Sequence, residues 1–215
     1  MAGYVLYGDR RSGSAMVEMV LEEIGAAFEP RPVPLDGEAQ LAAEYRRTNP
    51  MGRVPTLLLP DGTVVTESLA ILLVLDGRHP DAALLPPAAD PARATALRWM
   101  ALAASEIYPC VTRSDYPERF SADPAHAPAI REAARAMAQE FWRLIEREAA
   151  PAPFLLGARF SLADLQLAVL SRWMSNEAWM PGNCRRIEAL ARAVALRPAA
   201  GVAWRRHFAV PAAPG

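Results

Sequence analysis

With 215 residues, 52% of them apolar, the chain can bury one large core or two modest ones, so its length allows two domains. Acidic and basic residues nearly cancel, at a formal net charge of -1, and no Lys/Arg-rich run appears, which removes the electrostatic case for binding nucleic acid or an anionic membrane. No apolar run approaches the roughly 18 to 20 residues that span a bilayer, and the opening MAGYVLYGDRR lacks a signal-peptide core, so the expectation is a cytoplasmic protein whose partner is a small molecule or another protein.

Tyr4, Val5, Leu6 and Tyr7 form a short strand candidate that runs into the polar loop Gly8-Asp9-Arg10-Arg11. Ser12-Gly13-Ser14 follows, and Val17, Val20, Leu21 and Ile24 then recur at helical spacing until Gly25 supplies a stop. Residues 28–33 suit a second strand and 38–47 a second, polar helix. Pro55 starts a third strand, Leu57-Leu58-Leu59, because a strand accepts proline only at its first residue, an edge or a bulge. Pro60-Asp61-Gly62-Thr63 is a tight turn, and Val64-Val65-Thr66 closes a hairpin. Glu67-Ser68 opens a third helix, which His79-Pro80 ends. This order predicts a mixed sheet covered on both faces.

Prolines 86, 87 and 91 mark an exposed connector, giving domains at 1–79 and 92–210 with 80–91 between them. Beyond it strand signals vanish. Helices are expected from Ala92 to about Cys110, bent or ended by Pro109, and over 129–149 with Ile130, Ala134, Met137, Phe141, Leu144 and Ile145 on one face. Ser161 at N-cap and Asp164 at N3 form a capping box, with Phe160 placed to staple against Leu165. Cys110 and Cys184, like His79, His126 and His207, are too scattered for a metal site, a redox pair or a histidine triad, so no metal is expected.

The ordered set Val54-Pro55, hairpin and Glu67-Ser68 resembles the glutathione-binding half of the glutathione S-transferase family. The stretch from Gly157 to Asp164 resembles the buried cap of that family's helical domain. The resemblance implies an α/β thioredoxin-like N-terminal domain followed by an all-α C-terminal domain. It also implies a cis bond before Pro55, with Val54 offering its backbone N–H and C=O to glutathione like an added strand. Glu67 suits the ammonium of the γ-glutamyl group, Ser68 and the helix N-terminus suit its carboxylate, and Arg53 approaches the glycyl carboxylate. Arg10 and Arg11 add positive charge that favours this anionic ligand.

Thiol activation falls to Ser12 or Ser14, with Tyr7 a further option, since a hydroxyl at the start of the first helix stabilises a thiolate. The turn departs from the family here. The serine of serine-type members would fall at Arg11, and the cysteine of cysteine-type members at Gly13. For the second substrate, a small apolar electrophile, the resemblance points to Trp99, Ala103, Glu106, Ile107, Tyr108 and Arg113, and it implies a homodimer. Two functions stay open: a transferase that conjugates, isomerises or reduces through glutathione, and a non-catalytic glutathione-binding carrier or interaction module.

Overall fold

The computed structural model describes residues 3–174 and 176–209. The described residues divide into two compact units, one built from residues 3–84 together with 194–209, the other from residues 85–193.

In the first unit, β1 (Tyr4–Gly8), β2 (Phe28–Pro32), β3 (Thr56–Leu58) and β4 (Val64–Val65) form a mixed sheet in the order β2-β1-β3-β4. β1 runs parallel to β2, which requires the crossover helix α1 (Ser14–Glu23), and β3 is antiparallel to both β1 and β4. Alternation is visible in β1, where Tyr4 and Leu6 are buried and Val5 and Tyr7 are partly exposed. The helix α1 buries Ala15, Met16, Val17, Met19, Val20 and Leu21, and packs on α3 (Ser68–Arg78).

The second polar helix is shorter than expected. A 3-10 turn at Ala39–Leu41 is followed by α2 (Ala43–Thr48), because Ala42 adopts an extended conformation and breaks the hydrogen-bond ladder.

The second unit holds α4 (Pro91–Leu102), α5 (Tyr108–Asp115), α6 (Ala127–Glu148), α7 (Leu162–Leu170), α8 (Asn176–Asn183) and most of α9 (Arg185–Ala195). Asp90 caps α4 by accepting from the Ala92 N–H at 2.9 Å, so Pro91 is the first helical residue, where its missing N–H costs nothing. Pro109 does not end the helix. A π-helical turn, Ala103–Ile107, joins α4 to α5, and the Tyr108 N–H reaches back to the Ala103 carbonyl. The wider turn lets the chain pass the donor that Pro109 lacks.

Along α6 the buried face is Ala134, Ala138, Trp142 and Ile145, spaced by four, four and three, whereas Met137 is 44% exposed. The capping box of α7 is present. Asp164 accepts from the Ser161 N–H at 2.8 Å, the Ser161 hydroxyl at 2.9 Å and the Leu155 N–H at 2.7 Å. Phe160 stacks edge-on against Phe154, with ring centroids 5.5 Å apart.

A final helix, α10 (Ala200–His207), belongs to the first unit and packs on α1, although helical periodicity groups it with the second. The reason lies in three acids of α1. Glu18 and Glu22 pair with Arg206, and Glu23 pairs with Arg197 at 2.8 Å while also accepting from the Ala200 N–H. Among the described residues, no helix is long and apolar enough to cross a membrane, and no group of three or more His, Cys, Asp or Glu is placed to hold a metal.

Candidate functional site

Strand register gathers the key segments at one edge of the first unit's sheet. Tyr7 is level with Thr56, and Leu57 with Val65. Val54-Pro55 leads directly into β3 at this end, the turn after β1 leaves from it, and Ser68 follows β4 by three residues. The turn after β1, the loop before β3 and the segment leading to α3 thus all adjoin the same end of the sheet.

The Val54-Pro55 peptide bond is cis. Pro55 is buried, Val54 is partly exposed, and neither the N–H nor the C=O of Val54 takes part in a hydrogen bond among the described residues. The loop is clamped from below. The Tyr45 hydroxyl contacts the Arg53 carbonyl at 2.6 Å and the Thr56 hydroxyl at 2.8 Å, and Asn49 Nδ2 donates to the same two oxygens at 2.8 and 3.1 Å. Asn49 Oδ1 also accepts from the Met51 N–H at 3.1 Å. Burial pushes the Tyr45 hydroxyl above its ordinary pKa, so it stays a neutral donor.

Sequence reasoning missed this clamp. Its one signal was the lone aromatic residue in an otherwise polar helix.

Ser68 is the first residue of α3 and is buried, and exposed Glu67 occupies the N-cap position. The N-cap side chain makes no capping hydrogen bond, which leaves the positive end of the helix dipole available to an anion. The Arg53 side chain is exposed.

Around the first helix, Ser12 and Ser14 are 8% and 3% exposed. Both hydroxyls approach the Asp9 carbonyl, at 2.8 and 3.0 Å, and they lie 2.9 Å from each other. Ser12 Oγ further accepts from the N–H groups of Asp9 and Ser14, at 3.3 and 3.2 Å. Two hydroxyl protons thus serve three contacts. If Ser14 donates to Asp9, the Asp9 carbonyl keeps a donor while the Ser12 proton is released for another acceptor. The Asp9 carboxylate anchors the same loop by accepting from the N–H groups of Arg10 and Leu35, at 2.7 and 2.9 Å. Tyr7 is engaged elsewhere, its hydroxyl accepting from Arg31 at 2.9 Å and its ring lying 5.8 Å from that of Tyr45.

In the second unit, Trp99 is 2% exposed with Arg98 over its ring at 4.4 Å, and Ala103 and Ile107 are fully buried, so these three belong to the core. Glu106 is exposed. Tyr108 is partly buried and meets Trp173 edge-on at 5.3 Å, while Arg113 lies over Phe120 at 5.4 Å. Cys110 and Cys184 are free thiols, and burial raises both pKa values, that of Cys184 to about 12, so neither is a ready nucleophile.

These features define a thioredoxin-like domain with a clamped cis-proline loop, followed by a helical region. The model of the glutathione S-transferase N-terminal domain matches residues 13–78. The uncharacterized GST-like protein YncG of Escherichia coli K12 is 27% identical over 90% of this chain and 93% of its own. Glutathione S-transferase GstA of Escherichia coli O157:H7 is 32% identical over 60% of this chain and 61% of its own. Among solved structures, a glutathione transferase homolog from Sulfitobacter with bound glutathione superposes with a TM-score of 0.90 over 97% of this chain and all of its own, at 24% identity. Residues 13–78 are thus similar in sequence to the glutathione S-transferase N-terminal domain, and the chain shares the fold of glutathione transferases.

Proposed function

We propose that the protein is a glutathione transferase that presents the glutathione thiolate to a small apolar electrophile. The observation that carries this reading is that, among the described residues, the N–H and C=O of Val54 beside the cis-proline make no hydrogen bond, with Ser68 buried at the uncapped start of α3 after the same hairpin. An extended peptide pairs with such backbone groups as an added strand. The γ-glutamyl carboxylate fits Ser68 and the helix N-terminus, its ammonium fits Glu67, and Arg53 faces solvent at the glycyl end.

A cysteine thiol has a pKa of about 8.5, so mostly ionising it at neutral pH requires lowering that value by roughly two units, or about 2.7 kcal/mol. Local donors can supply this. Ser12 is the better assignment, because its proton can turn to sulfur while Ser14 keeps the Asp9 carbonyl satisfied. The thiolate then attacks the electrophilic carbon. A leaving group departs with the bonding pair or, in an addition, the resulting carbanion takes a proton from water. Tyr108 and Arg113 are assigned to the electrophile, for which an aromatic wall and one cation favour compounds that develop negative charge. A homodimer accords with the family.

One observation favours the alternative of a non-catalytic carrier: in the closed turn both serine protons are used internally. Calorimetric titration with glutathione, with thiolate absorbance followed in the same samples, separates the two. Binding with a thiolate signal is expected. Binding without it favours the carrier, and no binding overturns both.

A further inference from the structure

The residue that leads into the Ser12 turn is held from the far end of the chain. Arg11 has φ of +61°, a left-handed conformation that residues with a Cβ rarely adopt. His207 and Phe208 both contact it there. Its N–H donates to His207 Nδ1 at 3.1 Å, and its guanidinium lies over the Phe208 ring at 5.3 Å. Because Nδ1 accepts, the neutral imidazole carries its proton on Nε2, which donates to Glu18 Oε2 at 2.7 Å. Burial works against the charge on Glu18, but hydrogen bonds from His207 and Arg206 hold its pKa below the usual carboxylate range. His207 is itself 5% exposed. The charged groups around it are Glu18 of α1, Arg206 beside it in α10, Glu22 through Arg206, and Arg11 of the turn.

We propose that His207 is a positioning residue for thiol activation: by accepting the Arg11 N–H it fixes the backbone that sets Ser12 at the start of α1. The proposal rests on the transferase reading and names the element that orders its turn. His207 does not touch the thiol. It acts through Arg11, with Glu18 selecting the tautomer that can accept.

Two substitutions separate the ring's two contacts. His207→Asn keeps an acceptor on Cγ where Nδ1 stood and loses the reach to Glu18, whereas His207→Gln keeps a donor toward Glu18 and loses the acceptor for Arg11. Amide hydrogen exchange at Arg11 and Ser12 reads the contact directly, and kcat, KM for glutathione and the pKa of bound glutathione read its effect. In His207→Gln, Arg11 should lose protection, kcat should fall about fivefold to tenfold with KM for glutathione within about twofold, and the bound thiol pKa should rise by about one unit. His207→Asn should restore all of these to near wild type. A His207→Gln variant with wild-type kcat and thiol pKa overturns the proposal while leaving the transferase reading intact. Equal losses in both variants with Arg11 protection unchanged also overturn it, because the effect would then come through Glu18. Failure of the wild-type protein to bind glutathione sinks the transferase reading and this inference together.

Discussion

The Tyr45 hydroxyl sits 2.6 Å from the carbonyl of Arg53, and Asn49 Nδ2 donates to the same oxygen at 2.8 Å, so the peptide preceding Val54 is held by two side chains from below. A buried hydrogen bond contributes about 1 kcal/mol net, and stranding a buried partner costs about 1 to 3 kcal/mol. Tyr45→Phe removes two contacts and Asn49→Ala three. The expected outcome is a stability loss of about 1 to 2 kcal/mol for the first and about 2 to 3 for the second, each with weaker glutathione binding. Urea unfolding and calorimetry check this. Unchanged affinity in both variants would show that the clamp supports the fold alone.

Gly8 at the end of β1 lies so close to α1 that a Cβ there would fall 2.1 Å from Ser14 Cβ and 2.2 Å from its Oγ. No rotamer of Ser14 relieves a collision with its own Cβ. Gly8→Ala should therefore destabilise the protein by about 3 kcal/mol or more and disrupt the turn. Adding Ser14→Gly removes the opposing atom, so the double variant should recover most of the loss in a thermal melt. An additive, doubly destabilised pair would place the strain elsewhere.

The structural features that were legible in the sequence are those made by consecutive residues. Val54-Pro55, the hairpin turn, Glu67-Ser68 and the Ser161/Asp164 cap each declare themselves through local backbone chemistry, and the order of strands and helices follows from periodicity. The clamp of Tyr45 and Asn49 and the contact of His207 with Arg11 were not legible, because they depend on side chains brought together by packing. The two-proton arrangement of Ser12, Ser14 and Asp9 lies between these cases: the residues are adjacent, but only coordinates show that a carbonyl is shared. Pro109 misled for a related reason. Its effect on a helix depends on whether a π turn accommodates the missing donor, which spacing does not encode.

Ser68 and Glu67 can be tested independently of the fold. Because Ser68 makes no capping bond, Ser68→Ala should change stability by less than about 0.5 kcal/mol, below the typical loss of a true N-cap. Its affinity for glutathione should fall by about tenfold to a hundredfold, the worth of one hydrogen bond to a charged group. Glu67→Gln should weaken glutathione but leave deaminated glutathione unaffected, since the latter lacks the ammonium that Glu67 would meet. Equal binding of the two peptides by the unmodified protein would sink the role given to Glu67.

Asp164 offers a pH test within the second unit. Burial pushes its pKa from 3.8 up to about 6, outweighing the lowering effect of the hydrogen bonds from Leu155 and Ser161. The folded state therefore binds this proton more tightly than the unfolded chain does. The sign follows directly: the stability this group contributes is fully present below its unfolded pKa and is lost as pH rises through about 6. A difference of about two units corresponds to about 3 kcal/mol, an order of magnitude for a fully buried group. Asp164→Asn has no such titration, although it forfeits at least one acceptor of the capping box and should be less stable by about 1 to 3 kcal/mol. Chemical denaturation of both proteins between about pH 4 and pH 7 should show the wild-type advantage shrinking as pH rises, with its midpoint between the unfolded and folded pKa values. Carbon-detected titration of the Asp164 carboxyl gives the folded value itself. An advantage that grew with pH would mean that the three hydrogen bonds outweigh burial and that Asp164 caps α7 as a carboxylate throughout.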